Sequence, residues 1–146
     1  MDTWIETPEA DRRRVARGHD RRGRKVPHWH LAALAGAGGL RSTAADLLAF
    51  MRLHEPGAQH PLAAVAAETR RTRIGHGRGS IGLGWVSLPP RAQLRHRVFV
   101  HEGGTGGFRS FAGFAPDQGV AAVVLANQAR PVGRLGLRVL AVLLRE

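Results

Sequence analysis

The sequence contains no cysteine and no tyrosine, and Lys25 is its single lysine. Without cysteine the chain has no disulfide, no thiolate ligand for zinc and no cysteine nucleophile, and its redox compartment stays open. It also lacks a run of the roughly 20 apolar residues that cross a bilayer, because Arg138 interrupts the apolar stretch 135–144. The opening Met-Asp-Thr-Trp is acidic and polar, unlike a secretory signal peptide. We therefore expect no membrane span and no signal peptide, and the localisation is left undetermined.

The length of 146 residues suits one domain with a hydrophobic core. A net charge of +11 raises the question of a nucleic-acid partner, since clustered basic residues gain affinity by releasing counterions. The arginines, however, are spread along the chain, and the densest basic clusters lie at 12–14 and 21–25. This distribution favours a solvated basic surface over a nucleic-acid site. Arginines that bind another anionic partner are the alternative.

Breakers and periodicity divide the chain into three parts, which we predict to form a single domain, 1–146; the resemblance described below implies that this domain is partial. Residues 1–33 are polar and rich in proline and glycine, so we expect an irregular segment with one short helix near 8–14. Residues 34–90 are predicted to be helical, with a short strand at 82–88 and a glycine-containing loop at 75–79. Residues 97–146 are predicted to form strands and a terminal helix.

Three amphipathic helices are predicted from the spacing of apolar residues. The first begins at a capping box of Thr43 and Asp46 and runs to about His54. The second has Pro61 in its first turn, and the third opens at Pro131. The spacing assigns the following side chains to buried faces: Ala44, Leu47, Leu48 and Met51; Leu62, Val65, Ala66 and Thr69; Val132, Leu135, Val139, Val142 and Leu143.

Three antiparallel strands are predicted at 97–101, 108–114 and 120–126. In the second, Phe108, Ser110, Ala112 and Phe114 share one face. The third is continuously apolar, which is typical of a central strand that is covered on both faces. The predicted fold class is therefore α+β, with an antiparallel sheet and helices packed against it.

The segment His101–Phe108 lies between the first two of these strands and reads His-Glu-Gly-Gly-Thr-Gly-Gly-Phe. Its four glycines predict a turn at the strand end, where backbone N–H groups can approach a ligand closely, as an oxyanion hole requires. A plain glycine-rich hairpin loop is the alternative on these residues alone. The functional interpretation requires this strand end to be open to solvent.

An ordered set of segments resembles the class C branch of the serine β-lactamase and penicillin-binding superfamily, together with its esterase-like members. The stretch 101–108 resembles the Lys-Thr-Gly box of that superfamily in a variant with histidine in place of lysine. Residues 34–50 resemble its Ala-Gly-Gly turn and following helix, and 82–85 resemble its Gly-Leu-Gly-Trp strand. The Val-Leu-Ala-Asn strand at 124–127 and the last helix are similar as well. The resemblance covers nearly the whole chain, more loosely over 1–33.

The resemblance implies roles for five residues of the box. His101 takes the place of the lysine that recognises the substrate carboxylate or supports proton transfer. Glu102 takes the threonine position and Gly103 the glycine position, while Gly104 would supply one oxyanion donor through its backbone N–H. Glu102 and Thr105 are the expected substrate-binding residues. The change from Lys-Thr-Gly to His-Glu-Gly favours an esterase or peptidase-like relative over a β-lactam hydrolase.

Two elements of the superfamily mechanism are absent from the sequence, namely a Ser-x-x-Lys pair and a Tyr-x-Asn element. Both lie upstream in the superfamily, so the resemblance implies that Met1 is an internal methionine. Ser42, Ser80, Ser87 and Ser110 lack the context of a nucleophile elbow. His28 and His30 flank Trp29 without a nearby carboxylate pair, so no metal site is predicted.

The expected function is that of the C-terminal part of a serine hydrolase. The hydrolase needs no cofactor, and the C-terminal part is expected to be inactive alone. Its substrate would be a small-molecule or peptide-like acyl compound, with lactams, esters and D-amino-acid peptides all open. A separate N-terminal portion is the expected partner. The alternative is a non-catalytic module that binds an anionic partner through arginines.

Overall fold

The computed structural model of the chain describes residues 1–77, 79–91 and 94–145. Eight strands are described: β1 (Gly18–His19), β2 (Lys25–Val26), β3 (Ile74–His76), β4 (Gly79–Ile81), β5 (Val86–Leu88), β6 (Val98–Thr105), β7 (Phe108–Ala115) and β8 (Val120–Ala126). Strands β3 to β8 form one antiparallel sheet in sequence order, and β1 pairs with β2 in a small separate sheet. The α-helices are α1 (Ala44–Met51), α2 (Ala63–Arg70) and α3 (Gly133–Leu143). This architecture confirms the α+β prediction.

Alternating side chains of β6 and β7 build a core on each face of the sheet, as the period of two in a strand requires. On one face, the sheet packs against α3, with buried Val98, Val100, Phe111, Ala115, Leu140 and Leu144. On the other face, Met51 at the end of α1 packs with Trp85, Phe99 and Phe114. The two faces of β6 and β7 therefore meet different helices, so neither strand can slip in register without exposing both cores.

Helix α1 begins where the capping pattern predicts. The Thr43 hydroxyl accepts a hydrogen bond from the Asp46 N–H at 3.1 Å. The Asp46 carboxylate does not accept a hydrogen bond from the Thr43 N–H, as a capping box would require. It accepts hydrogen bonds from the Thr3 hydroxyl at 2.9 Å and from the Asp2 N–H. The cap therefore also anchors the first residues of the chain to the helix.

The buried faces of α1 and α2 differ from the prediction. Helix α1 ends at Met51 and continues as a 3-10 turn, Arg52–His54; Met51 is buried, whereas Ala44 and Leu48 are exposed. Helix α2 begins at Ala63, two residues after Pro61, which lies in the preceding turn. Ala66 is buried, but Leu62 and Val65 are exposed. Apolar spacing thus identified both helices but overestimated how much of each helix is buried.

Helix α3 buries a different face from the predicted one. Of the predicted side chains only Val132, just before the helix, is buried, whereas Leu135, Val139, Val142 and Leu143 are exposed. The buried positions are Gly133, Gly136, Leu140 and the following Leu144. A Cβ at Gly136 would overlap the Phe111 ring. The missing side chain lets α3 approach β7 at this point, and that approach decides which face turns inward.

The ends of the sheet also differ from the prediction. The predicted loop at 75–79 is the β3–β4 hairpin for the residues described there. The predicted central strand is β8, which is the last strand in the sheet order, with α1 on one face and α3 on the other. Among the described residues, no strand pairs with the outer edge of β8. The sequence of β8 is continuously apolar because a helix covers each of its faces. This pattern therefore does not distinguish a central strand from a strand at the edge of a sheet.

The His54 side chain is completely buried in the core formed by Met51, Trp85 and Phe114. Its ring stacks on Phe114 with centroids 4.5 Å apart, and neither ring nitrogen has a hydrogen-bond partner in the described structure. Burial lowers the pKa of His54 to about 4, and the nearby positive charge of Arg70 adds to this effect. The folded chain therefore holds His54 neutral.

We predict that this histidine makes the chain acid-sensitive. Its folded pKa of about 4 lies below the ordinary value of 6.5, so the unfolded chain binds more protons between these values and the free energy of unfolding falls as the pH drops through that window. We expect a loss of about 2 kcal/mol between pH 7 and pH 5. His54→Leu should remove most of this loss and His30→Gln, at an exposed position, should not. Urea unfolding at pH 7 and pH 5 measures the loss of unfolding free energy in the wild-type chain and in both variants. An equal loss in all three chains would contradict the prediction.

Candidate active site

The predicted site residues lie in the hairpin of β6 and β7, but within the strand and not in a loop. Strand β6 continues to Thr105, and the turn consists of Gly106 and Gly107 alone. His101 to Thr105 pair with Ala112 to Phe108. The prediction of a strand that ends at 101 before a glycine-rich turn was therefore wrong. The turn can be this short because Gly107 has a φ of +77°, which only glycine adopts without strain.

More than half of β6 has a free edge in the described structure. Strand β5 pairs only with Val98, Phe99 and Val100, so 101–105 extend beyond it. In a two-residue hairpin the closing pair exchanges both of its hydrogen bonds, and the bonding direction then alternates along the strand. Thr105 closes this hairpin, so the N–H and C=O groups of Glu102 and Gly104 point away from β7. His101, Glu102 and Gly104 are exposed, so the strand end is open to solvent, as the functional interpretation requires.

The side chains of the box divide between the two faces of the sheet. The His101 ring lies edge-on to Trp85, with centroids 6.3 Å apart. Gly103 lies on the same face, where a Cβ would collide with the Ser110 hydroxyl, and the Thr105 methyl group faces Gly38. Glu102 and Gly104 belong to the opposite face. The structure therefore brings His101, Gly103 and Thr105 together.

The Glu102 carboxylate lies against Gly133, the first residue of α3, where a Cβ would overlap it. A negative charge at the start of a helix is favoured by the helix dipole. The side chain of this predicted substrate-binding residue therefore faces α3, on the other side of the sheet from His101. Only its backbone shares the open edge with Gly104.

The segment before α1 wraps the tip of the hairpin. The His19 N–H donates to the Gly107 carbonyl at 3.2 Å and to the Asn127 carbonyl at 2.9 Å. Trp29 lies against Gly106, and His28 stacks on Phe108 with ring centroids 5.4 Å apart. These contacts hold the turn from outside the sheet.

Sequence reasoning did not identify the contacts of His19, His28 and Trp29 with the hairpin, because these residues meet it only in the tertiary structure. His28, which had been considered as a metal ligand with His30, is instead stacked on an aromatic ring. Burial lowers the pKa of His28, and the charges of Arg41 and His30 act in the same direction. Within the described ranges, no group of three or more histidine or acidic side chains is arranged to hold a metal ion. No helix in the described part of the chain is long and apolar enough to span a membrane.

The fold matches about half of the fold of solved β-lactamases. A class C β-lactamase superposes with a TM-score of 0.85 at 17% identity, covering 99% of this chain and 47% of that one. The β-lactamase of Sulfitobacter sp. EE-36 gives a TM-score of 0.84 at 22% identity, covering 98% of this chain and 48% of that one.

The sequence comparisons agree with the fold. The Beta-lactamase family profile matches residues 1–145, so the chain belongs to the β-lactamase family. A β-lactamase of Pseudomonas fluorescens is 24% identical over 159 residues, which cover 88% of this chain and 44% of that protein. The chain therefore spans about half the length of the relatives it matches, and the family relationship is that of a hydrolase.

We predict that Gly107→Ala destabilises the hairpin that carries the site. Alanine at the positive φ of this residue is strained, and its Cβ would approach the backbone N of His19 at 2.5 Å. We expect a loss of about 2 kcal/mol in the free energy of unfolding, together with faster amide exchange at Thr105 and Phe108. Gly36→Ala is the matched control, because no atom lies within 4 Å of its added Cβ. Equal stability of the two variants would refute the argument.

Proposed function

We propose that this chain supplies one wall of the active site of a β-lactamase-related serine hydrolase. The observation that carries the proposal is the open, solvent-exposed edge of β6, where the backbone of Gly104 faces away from β7. An acyl carbonyl placed beside this edge could receive a hydrogen bond from the Gly104 N–H. Such a donor stabilises the negative charge that develops on the carbonyl oxygen during acyl transfer.

The remaining box residues have distinct roles in this proposal. His101 orients the substrate or assists proton transfer from the face it shares with Gly103 and Thr105. The absence of a Gly103 side chain keeps that face shallow, and the Thr105 hydroxyl contacts the substrate near the turn. Glu102 contacts the substrate through its edge-facing backbone groups.

The attacking group must come from outside this chain. The sequence has no tyrosine, and its single lysine is preceded three positions earlier by Arg22, so it forms no Ser-x-x-Lys pair. The Ser110 hydroxyl lies against Gly103 within the sheet. The serine, its activating lysine and the proton relay would therefore belong to an N-terminal portion. Esters, amides and β-lactams are all candidate substrates.

The activity of the purified chain tests this proposal. We expect no hydrolysis of a chromogenic cephalosporin or of a short-chain nitrophenyl ester above the background rate. Co-expression with the coding sequence immediately upstream should restore hydrolysis. In the restored enzyme, His101→Ala should lower kcat/KM by about 100-fold, since a positioned proton-transfer group contributes on that order.

His60→Gln, at an exposed position before α2, is the matched control and should leave the restored activity unchanged. Serine-dependent turnover by the chain alone would overturn the proposal. Sequencing of the upstream DNA gives an independent check, because the proposal requires an in-frame Ser-x-x-Lys and Tyr-x-Asn.

The same proposal assigns a docking surface to the N-terminal portion. The outer edge of β8 has no paired strand among the described residues, and helix α3, which packs on β8, exposes Leu135, Val139 and Val142. An unpaired strand edge and an apolar helix face both favour association with another polypeptide. Because the chain spans about half the length of its relatives, the rest of the family fold is the occupant that we propose.

We predict that Leu135→Gln with Val142→Gln weakens this association about tenfold and lowers self-aggregation of the isolated chain. Both side chains are more than half exposed, at 54% and 60%, so the fold itself should tolerate the change. Leu62→Gln with Val65→Gln, on exposed positions at α2, is the control pair. Binding to the N-terminal portion and light scattering measure the effect. Equal binding and equal light scattering of the wild-type chain and the Leu135/Val142 double variant would count against the surface.

A further inference from the structure

Arg109 is directly opposite Gly104 in the pairing of β6 and β7, and the proposed function gives it no role. Its guanidinium occupies the space that a Cβ on Gly104 would need. The Nη1 group also donates a hydrogen bond to the Phe108 carbonyl at 3.3 Å. The positive charge therefore rests on the backbone of the residue whose N–H faces the open edge.

This charge has no acidic partner within the described part of the chain. Arg14 and Arg24 form ion pairs with aspartates, whereas Arg109 forms none. Glu102 is on the same face two residues along β6, but its carboxylate is directed to Gly133. Among the residues that the structure describes, Arg109 donates one side-chain hydrogen bond, to Phe108, and most of the five N–H donors of its guanidinium have no partner there.

A guanidinium beside an outward-facing backbone N–H places a charged donor and a neutral donor next to each other, where both can donate hydrogen bonds to a negatively charged oxygen. Hydrogen bonds between a charged donor and a charged acceptor are about twice as strong as neutral ones. The half-buried position of Arg109 also reduces the screening of its charge by water. Gly104 itself is exposed, so a ligand can reach both donors.

We propose that Arg109 and the Gly104 N–H together form an anion-binding site for a carboxylate or an oxyanion at the edge of β6. The site rests on the proposed function, since it uses the same edge, but it adds charge recognition to a donor that would otherwise be neutral. The absence of a side chain at Gly104 is what lets the guanidinium reach this position. Arg109 is thus the residue that makes the edge select anionic ligands.

The test compares benzoate with benzamide, which have similar shapes and differ in charge, as ligands of the purified chain. We expect benzoate to shift the NMR signals of the Gly104 amide and the Arg109 Nε–H, and to bind about tenfold more tightly than benzamide. Arg109→Gln should remove this preference. Arg109→Lys, which retains the charge without the planar fork, should keep part of it. Arg52→Gln, at an exposed arginine outside the sheet, is the control and should change nothing.

Three results would overturn the anion site: no benzoate-dependent shift at Gly104, equal affinity for both ligands, or a preference that survives in both Arg109 variants. If Arg109→Gln fails to fold, the lysine variant and the ligand pair decide the question on their own. These outcomes are separate from those of the hydrolysis assays, since benzamide bound at Gly104 without a benzoate preference removes the anion site and leaves the proposed acyl-binding edge intact.

Discussion

The tight pairing of β6 with β7 through the turn at Gly106 and Gly107 is the constraint on which the candidate site depends. This turn sets which residues of β6 bond to β7 and which face outward. The hairpin tip is held from outside by His19 and Trp29. A distant part of the chain thus supports the geometry of the edge.

The difference in length between neighbouring strands creates the site. Strand β5 ends its pairing at Val100, whereas β6 continues for a further five residues to Thr105. An edge of this kind normally invites unwanted strand pairing, and proteins retain it where a ligand or partner occupies it. Gly103 and Gly104 have no side chains, which leaves space on both faces of the extension. The Ser110 hydroxyl occupies this space on one face and the Arg109 guanidinium occupies it on the other. The chemistry of the extension therefore comes from β7 as much as from β6.

The sheet also carries features that reflect stability and assembly more than catalysis. His54 is buried among aromatic rings without a hydrogen-bond partner, and this arrangement exchanges solvation of the ring for packing against Phe114. Helix α3 turns its glycine and leucine face to the sheet and leaves a second apolar face exposed. An apolar stripe that is wider than the sheet can cover is typical of a helix with two neighbours. It agrees with a chain that spans about half the length of its relatives.

The sequence by itself determined the three α-helices, the capped start of α1, the order of the C-terminal strands and, through an ordered set of motifs, the β-lactamase family. These features depend on local spacing and on turn and cap chemistry, which are written in neighbouring residues. The tertiary structure alone decided which face of α3 is buried, that no strand among the described residues pairs with the outer edge of β8, and that β6 continues past His101 to Thr105. The tertiary structure also brought the Arg109 guanidinium against the backbone of Gly104. Each of these depends on which distant segments meet, and a close contact such as that of Gly136 with Phe111 leaves no periodic signal in the sequence.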